Sequence, residues 1–247
     1  MLKTRVIARL DIRGENLIKS ICMEGVRVVG DPEKYAKRYN DEGVDELIFM
    51  DAVASLYGRN NLESLITQVS RNVFTPMTVG GGIRSAGDVG RMLRAGADKV
   101  AINTAAVKRP ELITEVAEKY GSQCMVLQID AKRNGDRWEA YTNGGREHTG
   151  KDVVEWAEEG VSRGAGEILL TSIDQEGTRK GYDLELIKAI KVSVPIIASG
   201  GAGNPKHMVD ALKSGADAVA VADIIHFNRS SIQEIKANLK KAGVQIR

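Results

Sequence analysis

Two stretches of this 247-residue chain match one another at a constant offset of 119 residues. The first covers residues 76–103, and Pro76 at its start aligns with Pro195 in the second (195 minus 76 is 119). Each stretch reads as a short apolar strand, a glycine-rich turn, an amphipathic helix and a further apolar strand. A repeat of about half the chain indicates two equivalent halves of one domain, with no linker between them.

Strand and helix patterns alternate along the whole sequence. Short β-branched apolar runs predict eight strands, and the longer segments between them carry apolar residues at helical spacing. The predicted strands cover residues 5–11, 45–51, 76–80, 98–103, 123–130, 166–172, 194–199 and 217–223. Eight such units in about 250 residues match one closed barrel. Alternation alone also fits an open doubly wound sheet.

The repeat favours the closed barrel over the open sheet. We therefore predict an α/β fold, a single (βα)8 TIM barrel built of two half-barrels at approximately residues 1–120 and 121–247. One irregular segment, residues 134–149, contains Asn143-Gly144 between short alternating runs. This pattern predicts a hairpin in the loop after the fifth strand.

The composition narrows the classes of ligand. The 35 basic and 33 acidic residues nearly balance, so the charge indicates neither a nucleic-acid nor a membrane-binding protein. No apolar run approaches the roughly 20 residues of a membrane span, and the charged amino terminus lacks a signal core. Neither Cys22 and Cys124 nor the histidines have metal-ligand spacing, and His148, His207 and His226 are predicted to lie in loops or at the surface. We expect a cytoplasmic enzyme without a metal or other cofactor.

Two aspartates occupy equivalent places at the carboxyl ends of predicted strands. Asp11 ends the first strand and Asp130 ends the fifth, again 119 residues apart (130 minus 11). Active sites of closed β/α barrels lie at these strand ends, so we expect the two carboxylates to face each other across the mouth. Such a pair can serve as general acid and general base on one substrate. The alternative is that each aspartate only caps its loop.

Glycine-rich segments follow the third and seventh strands, at residues 79–85 and 199–205. Glycines let backbone amides approach an anion that a Cβ would exclude. Residues 102–106 and 221–225 follow the fourth and eighth strands and lead into helix amino termini, which favour phosphate. One phosphate cup in each half predicts a ligand phosphorylated at both ends, although glycines also form simple tight turns.

Four charged residues stand at the opposite, amino-terminal ends of the strands. They are Arg5, Glu46, Lys99 and Glu167. If they face inward, they close the barrel floor as an ionic ring, because charges are seldom buried without partners. The sequence does not decide between a functional reason for these charges and a salt-bridged lid that only keeps water out of the core.

Together these residues resemble the cyclase subunit of imidazole glycerol phosphate synthase. The similarity extends over essentially the whole chain and is most specific in VDELIFMDAVAS, TPMTVGGGIRS, GADKVAINTAAV, IDAKR, GAGEILLTSID, GYDLELI and PIIASGGAG. It implies a duplicated (βα)8 barrel of histidine biosynthesis that forms a heterodimer with a glutaminase subunit and receives ammonia from it. The implied reaction splits a bisphosphorylated formimino-ribulosyl carboxamide ribonucleotide into imidazole glycerol phosphate and an aminoimidazole carboxamide ribonucleotide.

The resemblance also implies roles for individual residues. Asp11 and Asp130 would be the acid and base, and Lys19 in the first loop would help to close over the substrate. The residues implied for phosphate binding are Gly82, Asn103 and Thr104 at one site and Gly177 and Gly201 at the other. The residues implied for the ammonia gate are Arg5, Glu46, Lys99 and Glu167, and those for the glutaminase-docking face are Asp98 and Gln123.

Three positions depart from the family pattern. Arg9 replaces a cysteine, and strand alternation places it on the lumen side with Asp11. There it would pair with Asp11, whose ionised form it would favour, or narrow the ammonia path. Glu176 replaces an aspartate and Asp223 a serine at the second phosphate cup, where a carboxylate should repel phosphate.

These departures keep alternatives open. The first hypothesis is the histidine-pathway cyclase itself. The second is a specialised paralogue that passes glutaminase-derived ammonia toward amidation of a surface sugar, and the third is a noncatalytic scaffold that activates a glutaminase. The related phosphoribosyl isomerase of the same pathway shares the half-barrels and aspartates, but it needs no ammonia gate, so the ionic ring argues against it.

Overall fold

The computed structural model describes residues 3–54 and 62–247, and within them eight strands form a closed parallel barrel. The barrel strands are β1 (Arg5–Arg13), β4 (Glu46–Asp51), β5 (Met77–Gly80), β6 (Lys99–Ile102), β7 (Met125–Asn134), β10 (Glu167–Ser172), β11 (Ile196–Ser199) and β12 (Ala218–Val221). Each pairs in parallel with the next, and β12 pairs with β1 to close the barrel. The predicted (βα)8 TIM barrel is confirmed.

Helices cover the outside of the barrel. They span Pro32–Asp41, Leu62–Val69, Ala86–Ala95, Glu111–Tyr120, Val153–Ser162, Leu184–Ala189, Pro205–Lys213 and Ile232–Lys241, with short helices at Thr104–Lys108 and Asp223–His226. Side chains cap the amino termini of several helices, for example Ser85, which forms a capping box with Asp88. None of the helices in the two described ranges is long and apolar enough to span a bilayer.

Side chains inside the barrel form successive layers, because alternate residues of each strand face the lumen. The layer at the amino-terminal end of the lumen is formed by the charged floor residues Arg5, Glu46, Lys99 and Glu167. Above them a separate apolar cluster fills the lumen, formed by Ile7, Ile48, Met50, Ala101, Val126, Leu169, Ile197, Ala218 and Ala220. Arg9 and Asp11 follow Ile7 on the same side of β1. An apolar layer, the Ile7 layer, therefore separates the charged floor from the polar mouth.

Two β-hairpins extend from the mouth. β1 continues into β2 (Asn16–Ile21), which pairs antiparallel with β3 (Glu24–Gly30), and β7 continues into β8 (Arg137–Thr142) and β9 (Glu147–Asp152). The β8–β9 turn at Asn143-Gly144 confirms the hairpin predicted over residues 134–149.

The β2–β3 hairpin was not predicted, because its turn lacks the usual sequence signal. Cys22 and Met23 adopt positive φ angles of 50° and 62° there, although neither is the glycine or asparagine that such a conformation favours. Lys19, expected in the first loop, consequently lies on strand β2.

The hairpins also explain why two strands are longer than predicted. Asp11 pairs with Ile18 of β2, and Asp130 pairs with Tyr141 of β8, so β1 and β7 continue past the aspartates that were expected to end them. At its other end β7 begins at Met125, because residues 122–124 form a 3₁₀ turn. Both aspartates therefore lie where a barrel strand leaves the barrel to join a hairpin.

The half-barrel duplication stays a prediction, and a hydrogen bond that recurs in both halves supports it. The amide of Met77 donates to Asp98 Oδ2 at 2.8 Å, and the amide of Ile196 donates to Asp217 Oδ2 at 2.9 Å. Both members of the second bond lie 119 residues after those of the first (196 minus 77 and 217 minus 98). The same side-chain contact thus recurs at the predicted offset.

The predicted surface location of His226 is wrong. His226 is only 2% exposed, its Nδ1 lies 2.6 Å from the Tyr39 hydroxyl, and the two rings stack with centroids 5.8 Å apart. The short helix Asp223–His226 turns this side chain into the core beside Tyr39. Burial lowers the pKa of His226 to about 4, so the ring is neutral near pH 7.

Candidate active site

A cavity of about 510 Å³ opens at the carboxyl ends of the barrel strands. The predicted site residues around it are Asp11, Asp130, Gly82, Asn103 and Thr104. A smaller adjoining cavity of about 30 Å³ is bordered by Lys19, Gly177, Gly201 and Asp223. Arg9, Asp11 and Glu176 border both cavities. The structure thus gathers both predicted carboxylates and both predicted phosphate cups at one mouth.

Asp130 is the more deeply buried of the two aspartates, with 2% of its surface exposed. Its Oδ2 accepts a hydrogen bond from Asn103 Nδ2 at 2.9 Å, and Gln128 Nε2 donates to both of its oxygens at 3.0 and 3.2 Å. Burial raises the pKa of Asp130, and Arg9, Gln128 and Asn103 only partly offset this effect. Asp130 therefore holds a proton more readily than an ordinary aspartate.

Asp11 is held by Arg9, the neighbour expected from strand alternation. Arg9 Nε donates to Asp11 Oδ1 at 2.9 Å, while its Nη1 donates to Thr171 Oγ1 at 2.9 Å and to Ser199 Oγ at 3.1 Å. The guanidinium thus reaches from β1 to β10 and β11. Burial opposes the charge of Arg9, but Asp11 and Asp130 outweigh this effect and raise its pKa.

The first cup lies beyond β5 and β6. Gly82 adopts a positive φ of 72° in the turn before helix Ala86–Ala95, and Thr104 begins the short helix after β6. Asn103 directs its side-chain amide to Asp130 and to the Tyr141 carbonyl at 3.0 Å. Its side chain therefore orients the candidate acid, whereas the Thr104 hydroxyl accepts a bond from the Asn143 amide at 3.1 Å.

A set of cations around the larger cavity was missed by the sequence analysis. Its members are Arg13, Arg84, Lys108, Arg109 and Arg146. They come from segments that are far apart in the sequence, so no local run of basic residues marks them. The sequence could have indicated them only through their position after the barrel strands, because the segments at that end converge on the mouth. The positive charge favours an anionic ligand.

The second cup contains carboxylates of the protein itself. Lys19 and Glu176 form a buried ion pair, and Glu176 Oε2 also accepts a bond from the Met23 amide at 3.1 Å. Gly201 has a φ of +98°, and a Cβ there would lie 1.9 Å from the Gly181 carbonyl oxygen. Asp223 pairs with Arg229 at 2.9 Å. Burial lowers the pKa of Lys19.

The four floor residues form a closed ionic ring. Arg5 contacts Glu46 at 2.7 Å and also pairs with Glu167, while Lys99 contacts the same two carboxylates at 2.7 and 2.8 Å. Thr78 Oγ1 adds a 3.0 Å bond to Glu46. Burial disfavours the charge of Glu46, but Lys99 and Arg5 outweigh it and lower its pKa. Each carboxylate is therefore shared by two cations.

Asp98 and Gln123 lie at the amino-terminal side of the barrel, the side of the ring. Both side chains are exposed. Asp98 Oδ2 accepts the Met77 amide bond at 2.8 Å, and Gln123 Nε2 donates to the Tyr120 carbonyl at 3.3 Å. These local bonds leave part of each side chain free for contacts on that face.

Comparison with known proteins identifies the family. The sequence profile of the family described as "Histidine biosynthesis protein" matches residues 5–231. The imidazole glycerol phosphate synthase subunit HisF of Legionella pneumophila is 63% identical over 207 residues, which are 82% of this chain and 97% of the relative. The subunit of the same name from Myxococcus xanthus (strain DK1622) is 52% identical over 250 aligned positions, covering 100% of this chain and 99% of the relative. The chain therefore belongs to the histidine biosynthesis protein family and, within it, to the HisF cyclase subunits of imidazole glycerol phosphate synthase.

Proposed function

We propose that this cyclase subunit uses ammonia to split a bisphosphorylated formimino-ribulosyl carboxamide ribonucleotide into imidazole glycerol phosphate and an aminoimidazole carboxamide ribonucleotide. The observation that carries the proposal is that Asp11 and Asp130, from β1 and β7, border one cavity in different environments. Two carboxylates with different surroundings can divide the acid and base roles of one reaction.

The surroundings support different roles for the two carboxylates. Asp130, whose pKa burial raises, is the proposed general acid and delivers a proton to the departing group. Asp11, whose Oδ1 accepts a hydrogen bond from the Arg9 guanidinium, is the proposed general base. Gln128 and Asn103 orient the acid through their bonds to its oxygens.

The phosphates are proposed to bind at the two cups. Gly82, Thr104 and the backbone of Asn103 offer amides to the first phosphate, and the cations around the larger cavity add positive charge. Gly177 and Gly201 offer amides to the second. That phosphate has to displace Glu176 from Lys19, because the lysine is already paired. Lys19 then becomes available to the phosphate, while Asp223 adds a repulsive charge nearby.

Ammonia is proposed to enter through the floor. The ring of Arg5, Glu46, Lys99 and Glu167 covers the amino-terminal end of the lumen, opposite the candidate active site. A glutaminase subunit docked on the exposed Asp98 and Gln123 would release ammonia beside this ring. The proposed partner is therefore a glutaminase, in a heterodimer.

The test supplies ammonium and the bisphosphorylated substrate to the isolated chain. The unchanged chain should form product, and Asp11→Asn and Asp130→Asn should each lower kcat by about 10²- to 10⁴-fold, the usual contribution of a general acid or base. Substrate binding, followed by calorimetry, should persist in both variants. Asp136→Asn, in the exposed β7–β8 turn, is the matched control and should keep full activity. Unimpaired turnover in either active-site variant would remove that residue from the mechanism.

A further inference from the structure

Arg9 occupies the middle of the candidate active site. It is 7% exposed, and its side chain borders both the larger and the smaller cavity. Nε binds Asp11 and Nη1 binds the hydroxyls of Thr171 and Ser199, whereas Nη2 makes no hydrogen bond to any residue in the described ranges. One guanidinium thus connects three barrel strands and keeps one nitrogen without a hydrogen-bond partner among the described residues.

The charges around Arg9 come from several elements. The groups are Asp11 on β1, Asp130 on β7, Lys19 on β2, Glu176 after β10, Asp223 after β12 and the buried His226, which is neutral near pH 7. Lys19 is paired with Glu176, whereas the charge of Arg9 interacts with both aspartates. The positive charge of Arg9 is therefore shared between the proposed acid and the proposed base.

We propose that Arg9 is a positioning residue for both carboxylates of the cyclase reaction. Its tether to Thr171 and Ser199 fixes the guanidinium, which in turn fixes the orientation of Asp11 and sets one positive charge between Asp11 and Asp130. The planar guanidinium suits this task, because its donors point in fixed directions, whereas a lysine ammonium would bind as a mobile point charge. The catalytic role of Arg9 rests on the proposed function, whereas its contacts with Asp11, Thr171 and Ser199 do not.

The position of Arg9 has two separable consequences. Its charge favours the ionised form of Asp130 and limits the rise that burial produces in the pKa of that carboxyl. Its hydrogen bonds restrict the rotamers of Asp11. Removing the charge should raise the pKa of Asp130 further, whereas removing only the tether should leave the charge and loosen Asp11.

The first experiment needs no turnover. Side-chain carboxyl groups of the ligand-free protein are titrated by carbon NMR in the unchanged chain, Arg9→Met and Arg9→Lys. We expect the Asp130 midpoint to move to higher pH in Arg9→Met and to remain near the original in Arg9→Lys, which keeps a cation. If Arg9→Met does not fold, the variants Arg9→Lys, Thr171→Val and Ser199→Ala test whether the bonds to Thr171 and Ser199 fix the position of Arg9. An unchanged Asp130 midpoint in folded Arg9→Met overturns the charge part of the proposal.

The second experiment measures kcat and KM against pH with ammonium as nitrogen source. Arg9→Met should lower kcat by about 10²-fold, the usual cost of misplacing a catalytic group. It should also shift to higher pH the limb of the kcat–pH profile that the titration of Asp130 sets. Thr171→Val should lower kcat without moving that limb, because the cation remains. Unaltered kcat in both variants refutes the positioning role. If the unchanged chain shows no turnover, the proposed function fails instead, and the NMR titration still decides on Arg9.

Discussion

Residues of the same type behave differently in this barrel because their neighbours differ. Asp11 and Asp130 lie at equivalent positions on β1 and β7, and each strand continues into a hairpin. Asp11 nevertheless accepts a hydrogen bond from a guanidinium, whereas Asp130 accepts hydrogen bonds from two neutral amides. The sequence predicted that both would reach the mouth, and Arg9 could be placed beside Asp11 by strand alternation. The hydroxyls that anchor Arg9 could not be predicted, because contacts between distant strands depend on the stagger of the barrel.

A stability prediction follows from the buried His226. In the unfolded chain a histidine has a pKa near 6.5, whereas burial lowers it to about 4 in the folded chain. The unfolded state therefore binds more protons between these values, and stability falls as the pH drops through this window. Between about pH 7.5 and about pH 5 this residue should cost the fold about 2 kcal/mol.

The variant His226→Asn can keep a hydrogen bond to Tyr39 and does not titrate in this range. Urea unfolding at both pH values should show that the variant loses about 2 kcal/mol less stability than the unchanged chain on acidification. Comparing the change in unfolding free energy between the two proteins cancels the effects of carboxylates that both contain. Equal pH dependence in the two proteins would contradict the buried, neutral ring.

Among the elements, the β2–β3 hairpin connects the mouth to the loop after β10. The Cys22 amide donates to the Glu176 carbonyl at 2.9 Å, and the Met23 amide donates to the Glu176 carboxylate at 3.1 Å. With the Lys19–Glu176 pair, these bonds hold the hairpin tip over the smaller cavity. Barrel strands were easier to predict, because buried parallel strands are continuous apolar runs, whereas β3 of this hairpin is mostly exposed and has little such signal.

Gly177 provides a test of the docked hairpin. It has a φ of +72°, and an added Cβ would lie 2.5 Å from the Ser20 carbonyl oxygen. Gly177→Ala should therefore push the hairpin tip away and increase amide hydrogen exchange at residues 19–23, with little change in the barrel strands.

Gly150 is the matched control for this substitution. Its φ of +71° is nearly the same, but an added Cβ would meet nothing within 4 Å. Gly150→Ala thus carries the same backbone strain without the contact and should leave exchange at residues 19–23 unchanged. Equal exchange at the hairpin tip in both variants would show that the contact with Ser20 does not hold the hairpin.

For the whole molecule, the ionic ring joins strands that are far apart in the sequence. Arg5, Glu46, Lys99 and Glu167 come from β1, β4, β6 and β10, so closing the barrel brings all four charges together. The sequence predicted the ring from the position of each charge on its strand. It could not decide which cation meets which carboxylate, and the structure shows that each cation meets both.

Lys99→Met should destabilise the fold by about 3 kcal/mol, since removing one partner of a buried ion pair leaves charge without compensation. For a chain of this size the thermal midpoint should fall by roughly 10 °C. Lys37→Met is the matched control, because Lys37 pairs with Asp41 at an exposed site and should change stability by less than about 1 kcal/mol. Similar Tm values for both variants would argue against an energetically important ring.

The Ile7 layer constrains what can travel along the barrel axis. An ion that crossed this stretch of aliphatic side chains would have to shed its hydration shell without gaining a counter-charge, which is costly. An uncharged molecule of similar size escapes that penalty. If nitrogen enters through the floor, it therefore has to reach the aspartates as neutral NH₃. In bulk solution most ammonia is protonated to ammonium, which limits how well added ammonium replaces ammonia released by a docked partner.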